Sequence, residues 1–566
     1  MAIKDRRVMA VSFSANIATM KLSLILLLLG FVDWSVQTID LLRVSTISGP
    51  VVGYRKSGYN AYEGIPYARP PVKKLRFRPP KPAKRWRLEL NATQKAADCV
   101  QNRWTENGYQ VVGKEDCLYL NVYVRPQLIT KPILPVMVWF QGGVYSSGNE
   151  VDESLLMKAN IALVVVNYRV GPLGFLSTGD YVVPGNMGLK DQSMALLWVS
   201  DNIAFFGGNP KSVTIFGLNS GAASVHYHYM SPLSAGLFHR GISISGVALD
   251  SWSQTEHARE KALRLGALLN CSTESSHCLV KCLRKRSVEL ILKTVAEIWL
   301  WLHNPFVPFG PVVEKQKCQH PFINATPIEI MTRGDLLDVP WIASITSGEG
   351  LYPAAEFVAN DVLLKQLNDN WQDIAPYLLD YNDTLPPSQQ KEVALKIRQH
   401  YLGSKQISSQ TVEPLIQLIG DRLSAVNFEK AARLQAKVNK SPVWTYYYSY
   451  RATHSGSELI SHSNKNFGVT PGDDIGLILD PVLSDIKLLQ LKDKTMQAKI
   501  FELYTSFAIL GVPKIGLSKW KQVDPRDVSF NYLNIKNPLL VSGMEASFDF
   551  AEKSFWETID FDENKL

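Results

Sequence analysis

The sequence predicts an α/β protein built on one large, mostly parallel sheet with helices on both faces. Three observations carry that reading. Apolar runs of strand length, rich in Val and Ile, alternate along the chain with helical patterns, as strands covered on both faces do. No internal repeat, low-complexity linker or break in composition divides the 566 residues, so one large domain accounts for a length that could hold three. Hydrophobic residues make up 46% and charged residues 20%, which excludes a disordered chain and a collagen-like fibre.

Taken in order, the first element is a targeting segment. Met20-Lys21 opens residues 22–31 (LSLILLLLGF), an apolar stretch of signal-peptide length behind a charge. It is too short to span a bilayer, which takes about 20 residues. Residues 1–36 are therefore read as an N-terminal extension and signal peptide, cleaved near Trp34–Val36, with Met20 as an alternative start. Residues 37–566 form the single domain. No later stretch reads as a membrane span, so a soluble, secreted, extracellular protein without a stable membrane anchor is expected.

Buried strands are predicted at 135–140, 161–168, 213–217, 241–245, 339–346 and 442–450. Helices are predicted at 191–205, 221–230 and 493–510, between or after them. Strand, helix, strand in alternation argues for a doubly wound, mainly parallel sheet. Two long excursions, about 248–338 and 351–441, supply a lid or helical cap.

Charge and cysteine usage narrow the partners. A formal charge of +8 over this length is mild, and no Lys/Arg tract resembles a nucleic-acid arm, so nucleic acid is excluded as a partner. Six cysteines in a secreted chain suggest disulfides. Cys99 with Cys117 and Cys271 with Cys282 would close short loops, leaving Cys278 and Cys318 as a third bridge or as buried thiols. There is no Cys-x-x-Cys pair, and the ten histidines lack ligand spacing; neither a metal nor a cofactor is expected. Asn-x-Ser/Thr sequons stand at Asn91, Asn270, Asn324, Asn382 and Asn439. Cys271 inside one and Pro442 after another make Asn270 and Asn439 the weaker acceptors.

Several blocks then carry a resemblance: Glu63-Gly64-Ile65-Pro66-Tyr67-Ala68, Glu115-Asp116-Cys117-Leu118-Tyr119-Leu120-Asn121-Val122, Asn167-Tyr168-Arg169-Val170-Gly171-Pro172-Leu173-Gly174-Phe175, and Phe206-Gly207-Gly208-Asn209-Pro210. In order and spacing, from about residue 40 to about 545, the chain resembles the type-B carboxylesterase and cholinesterase family, most of all the secreted insect esterases. The resemblance implies an α/β-hydrolase fold and disulfides Cys99–Cys117 and Cys271–Cys282. Trp104 does not stand where the cholinesterases keep their choline-binding tryptophan.

The chemistry such a family performs needs a serine on a sharp strand-to-helix turn, Gly-x-Ser-x-Gly. Here the frame is Gly217-Leu218-Asn219-Ser220-Gly221, and an amide cannot form the acyl intermediate. Ser220 lies one place late and should point into the helix. The base position, in Gly468-Val469-Thr470-Pro471-Gly472-Asp473, holds Pro471, which can move no proton. Glu349 keeps the position of the triad acid; with no histidine to orient, it is read as a carboxylate hydrogen-bonded to local backbone. The resemblance places the oxyanion-hole amides at Gly142, Gly143 and Ser220, with Gln141 where a His is usual and Val144 following. His454 and His462 read as exposed loop residues, and His226 and His228 as packing residues. Arg169 and Asp191 read as a buried ion pair or turn. Residues 298–302 (IWLWL) read as core or cap packing.

Loss of a nucleophile or base costs a serine hydrolase about 10⁶-fold in turnover. The sequence therefore points to a non-catalytic family member that binds a protein partner or a small apolar ligand. Its alternatives are an ester hydrolase with a rewired site and a small-molecule carrier or sink. Nothing in the sequence sets the oligomeric state.

Overall fold

Alternate residues of the central strands enter two separate cores, and that is the basis of the architecture in this computed structural model. Val136, Val138 and Phe140 pack on one face, and Met137 and Trp139 on the other. Ala162, Val164 and Val166 again oppose Leu163 and Val165. Strands with no polar face need cover on both sides. The helix Ser220–Met230 supplies it through Ala223, Val225, Tyr227 and Tyr229 on the first face. The helix Leu491–Leu510 supplies it through Met496, Ile500, Leu503 and Phe507 on the second.

The structure describes residues 41–565 apart from 106–107, 127–132, 149–150, 315–317, 486 and 541. The expected extension and signal peptide fall outside the described residues. From Leu42 onward the chain is one compact unit. Its strands are β1 (Leu41–Ser45), β2 (Pro50–Lys56), β3 (Tyr59–Pro66), β4 (Leu90–Asn91), β5 (Gln101–Thr105), β6 (Gly108–Val112), β7 (Tyr119–Val124), β8 (Leu134–Phe140), β9 (Ala162–Val166), β10 (Gly208–Leu218), β11 (Arg240–Ile244), β12 (Trp341–Thr346), β13 (Val443–Tyr448), β14 (Phe530–Ile535) and β15 (Gly543–Ser547).

The large sheet runs β1-β2-β3-β7-β9-β8-β10-β11-β12-β13-β14-β15, with β4 beside β2. From β9 to β14 every pairing is parallel. The pairs β2–β3, β3–β7, β7–β9 and β14–β15 at the two ends are antiparallel. All six predicted strands fall in the parallel centre as β8 to β13. The outermost strands lack the continuous apolar runs that mark a strand buried on both faces: β15 (GMEAS) and β1 are only partly buried. Both excursions are helical among the described residues, and no helix there is long and apolar enough to cross a membrane.

Two disulfides are present, Cys99–Cys117 and Cys271–Cys282. The first encloses the hairpin β5–β6. The third bridge is not formed, and the remaining cysteines are not buried thiols either. Cys278 is exposed on the helix Ser276–Leu283, whose buried side is taken by Leu279, Val280 and Leu283; Cys318 is half-buried, and both are free. Asn91, Asn270 and Asn324 are exposed, whereas Asn382 and Asn439 are half-buried. Asn439 also donates its side-chain amide to the Leu337 carbonyl at 3.3 Å.

Candidate active site

Four neighbouring strands end in turns at the same edge of the sheet, and their register holds the turns side by side. Leu218 pairs with Ile244 at the ends of β10 and β11. Just beyond, the Asn219 N–H donates to the Ile244 carbonyl at 2.9 Å, the Ser245 N–H to Ser344 at 2.8 Å, and the Ser347 N–H to Tyr448 at 3.0 Å. The carboxyl ends of parallel strands are where α/β sheets bind their ligands.

Asn219 stands at the sharpest of these turns, with φ 51° and ψ −116° between β10 and the helix Ser220–Met230. The two elbow glycines are forced by space. A Cβ on Gly221 would overlap the Phe140 carbonyl oxygen at the end of β8, and one on Gly217 would come within 2.5 Å of the Gly221 backbone. The Asn219 side chain is half-buried, and its Oδ1 accepts a hydrogen bond from the Val144 N–H at 3.1 Å.

That amide, one place after Gly142-Gly143, was missed in the sequence, because a backbone donor has no side-chain signature. Among the described residues the N–H groups of Gly142, Gly143 and Ser220 meet no acceptor. The Ser220 side chain is fully buried beneath the elbow, and its hydroxyl oxygen forms no hydrogen bond. The sequence singled out Gly142, Gly143 and Ser220 as donors; the donor the structure shows engaged is Val144.

The acid turn lies next to the elbow. Glu349 is buried, and its Oε1 accepts from the Thr346 N–H at 2.6 Å, the Ser245 hydroxyl at 2.7 Å and the Thr346 hydroxyl at 3.1 Å. Burial lifts its carboxyl from the ordinary 4.5 to about 7; the hydrogen bonds oppose that rise and the nearby Asp474 carboxylate adds to it. Ser245 is a second residue the sequence did not single out.

The turn carrying Pro471 completes the group. A Cβ on Gly348 would lie 2.7 Å from the Val469 carbonyl, and one on Gly472 would lie 2.8 Å from the Leu218 side chain, so this turn touches both the acid turn and the elbow. Asp473 shapes it: its carboxylate accepts from the Thr470 N–H and the Gly456 N–H, each at 2.9 Å. Burial raises its pKa to about 6.

The histidines stand apart from this group. His226 is fully buried, stacks on Trp341 at 4.5 Å, and accepts from the Ala248 N–H at 3.0 Å. His228 is held by Ser234 at 2.6 Å and Gln192 at 2.9 Å. Burial pushes both imidazoles down to about 3, so both are neutral near pH 7. His454 contacts Glu458 at 3.1 Å and is exposed, as is His462 at the end of the helix Gly456–Ser461. Arg169 and Asp191 form a buried ion pair at 2.7 Å, and Trp301 packs on Phe357 within the helical cap. Among the described residues no cluster of His, Cys, Asp or Glu could hold a metal ion.

Aromatic side chains close the space between the loop after β8 and the acid turn. Tyr145 packs on Phe175 at 4.8 Å and Trp252 at 6.4 Å, Trp252 on Phe306 at 6.1 Å, and Phe306 on Tyr352 at 6.3 Å. Tyr145, Trp252 and Phe306 are all buried. Two small pockets, one lined by Arg76, Cys99 and Leu173 and the other by Gln141, Gly148 and Tyr168, are lined by none of Asn219, Glu349 or Pro471.

Residues 40–556 match the model of the carboxylesterase family. The chain belongs to that family. It is 54% identical to venom carboxylesterase-6 of Apis mellifera, over 97% of this chain and 99% of that protein. It is 52% identical to a carboxylic ester hydrolase of Bombus ignitus, over the same shares of the two chains. Among solved structures, juvenile hormone esterase from Manduca sexta superposes with a TM-score of 0.78, covering 92% of this chain and 99% of that one. At 24% identity that likeness speaks for the fold alone, the α/β-hydrolase fold of the carboxylesterase family.

Proposed function

We propose that this carboxylesterase-family protein is secreted, does not hydrolyse esters, and acts by binding a protein partner. One observation carries the reading: at the apex where the family needs a nucleophile, a carboxamide occupies the position with its oxygen on the Val144 amide. The neighbouring turn offers Pro471 in place of a base. Ser220, one place on, is sealed in the core. The aromatic contacts running from Tyr145 through Trp252 and Phe306 to Tyr352, the first three buried, support a surface role over a carrier. Secretion rests on the apolar segment at 22–31, with N-linked sugar proposed at Asn91 and Asn324, both exposed, and at Asn382.

A second reading, ester hydrolysis through a substitute nucleophile, is favoured by the names of the two relatives with more than half their residues identical. Hydrolysis of an aryl acetate by the purified secreted protein separates the two. The native chain should give no turnover above buffer, and Asn219→Ser with Pro471→His should recover it by about 10³-fold or more. Native turnover that collapses in Glu349→Gln would overturn the non-catalytic reading.

A further inference from the structure

We infer that Asn219 is a self-modifying residue, converted in the folded protein to an aspartate or isoaspartate through a cyclic imide with the Ser220 backbone. The inference rests on the elbow's geometry alone and holds whether or not the protein hydrolyses esters.

Asparagine loses its amide when the nitrogen of the next residue attacks its side-chain Cγ. The attack closes a five-membered ring, and ring closure demands that the Cα–Cβ bond eclipse the C–N bond of the following peptide. Viewed down the Cα–C bond of an L-residue, Cβ stands a third of a turn from the backbone nitrogen. The eclipsed arrangement therefore falls near the ψ of −116° that Asn219 adopts. In a strand, with ψ of about +135°, or a helix, with ψ of about −42°, Cβ is turned away from that nitrogen. Most asparagines must distort to react; the elbow holds this one at the required backbone torsion.

Three further features point the same way. The side-chain carbonyl oxygen accepts from the Val144 N–H at 3.1 Å, a donor placed to stabilise the negative charge that grows on that oxygen under attack. The attacking nitrogen, Ser220 N, gives its hydrogen to no acceptor among the described residues. Asn219 is only half-buried, so water reaches it.

In the first step the Ser220 nitrogen gives up its proton and forms a bond to Cγ of Asn219. The Cγ–Nδ2 bond breaks, and Nδ2 leaves with that proton as ammonia. In the second step water adds to one carbonyl of the imide and breaks its bond to nitrogen. Opening at Cγ gives an ordinary aspartate at this position, and opening at the backbone carbonyl gives isoaspartate. The sum is one water consumed and one ammonia released, with no change of oxidation state. Either product places a carboxylate at the notch.

The test is peptide mapping by mass spectrometry of the purified full-length protein incubated at mildly alkaline pH, native and unfolded in urea, with a hydroxylamine-treated aliquot of each. Conversion at Asn219 should run about tenfold faster in the native protein, since folding supplies the strained torsion. Hydroxylamine, which cleaves cyclic imides, should cut the native chain between Asn219 and Ser220. Equal or slower conversion in the native protein would overturn the inference. So would conversion without any hydroxylamine cleavage, which would assign the loss to direct attack of water.

Discussion

The acid turn and the Pro471 turn lie against each other, yet they keep their shapes by different means. At the acid turn the apex residue does the holding: Glu349 itself accepts three hydrogen bonds that tie residues 245, 346 and 349 together. At the other turn the apex residue holds nothing. There Asp473, two places on, gathers the Thr470 and Gly456 amides. A turn whose apex is structurally idle can change that residue without losing the fold, whereas a turn built on its apex cannot. On the proposed reading, the difference fits an acid position that is kept beside a base position that is not.

Substitutions put that contrast to the test, and the elbow sets the upper bound. Gly221→Ala should cost the most, roughly 4 kcal/mol, since its new methyl group would strike the β8 backbone; denaturant unfolding of the secreted protein would measure it. Next comes pH. A carboxyl raised by burial from 4.5 to about 7 keeps its proton in the folded protein after the unfolded chain has released it. Its favourable contribution is complete below pH 4.5 and is lost as pH rises to 7. Glu349→Gln should remove about 3 kcal/mol of that decline, seen as a flatter plot of stability against pH between 4.5 and about 7.

Asp473→Ala should cost about 2 kcal/mol, because two amides lose their acceptor. Pro471→His alone should shift stability by no more than about 0.5 kcal/mol and, on the proposed reading, restore no aryl acetate hydrolysis while Asn219 stays in place. A loss at Pro471→His as large as at Asp473→Ala would end the distinction between the two turns.

The parallel centre of the sheet was legible because each strand from β8 to β13 is an apolar run with no polar face, and the elbow because two glycines bracket it. The turns that carry Glu349, Asn219 and Pro471 could be located from the motifs around them; their roles stay part of the proposal. What escaped was whatever depends on approach across the fold. Ser245 meets Glu349 from 104 positions away, and Val144 acts through its backbone, which any residue carries. Cys278 and Cys318 invited a pairing on number alone; the first faces solvent from an amphipathic helix and neither is bonded.

The disulfides link residues only 18 and 11 positions apart, while the corners of the site come from residues 144, 219, 245, 349 and 471. Neither bridge joins two of those corners; only Cys271–Cys282 lies within one of the intervening loops, between residues 245 and 349, and it shortens that loop little. This group of turns is assembled by long-range pairing of parallel strands, a slow event in folding, and it exists only once the sheet is complete. Its integrity is a gauge of the finished chain: a reductant would open Cys99–Cys117 and Cys271–Cys282 without breaking any bond between those corners.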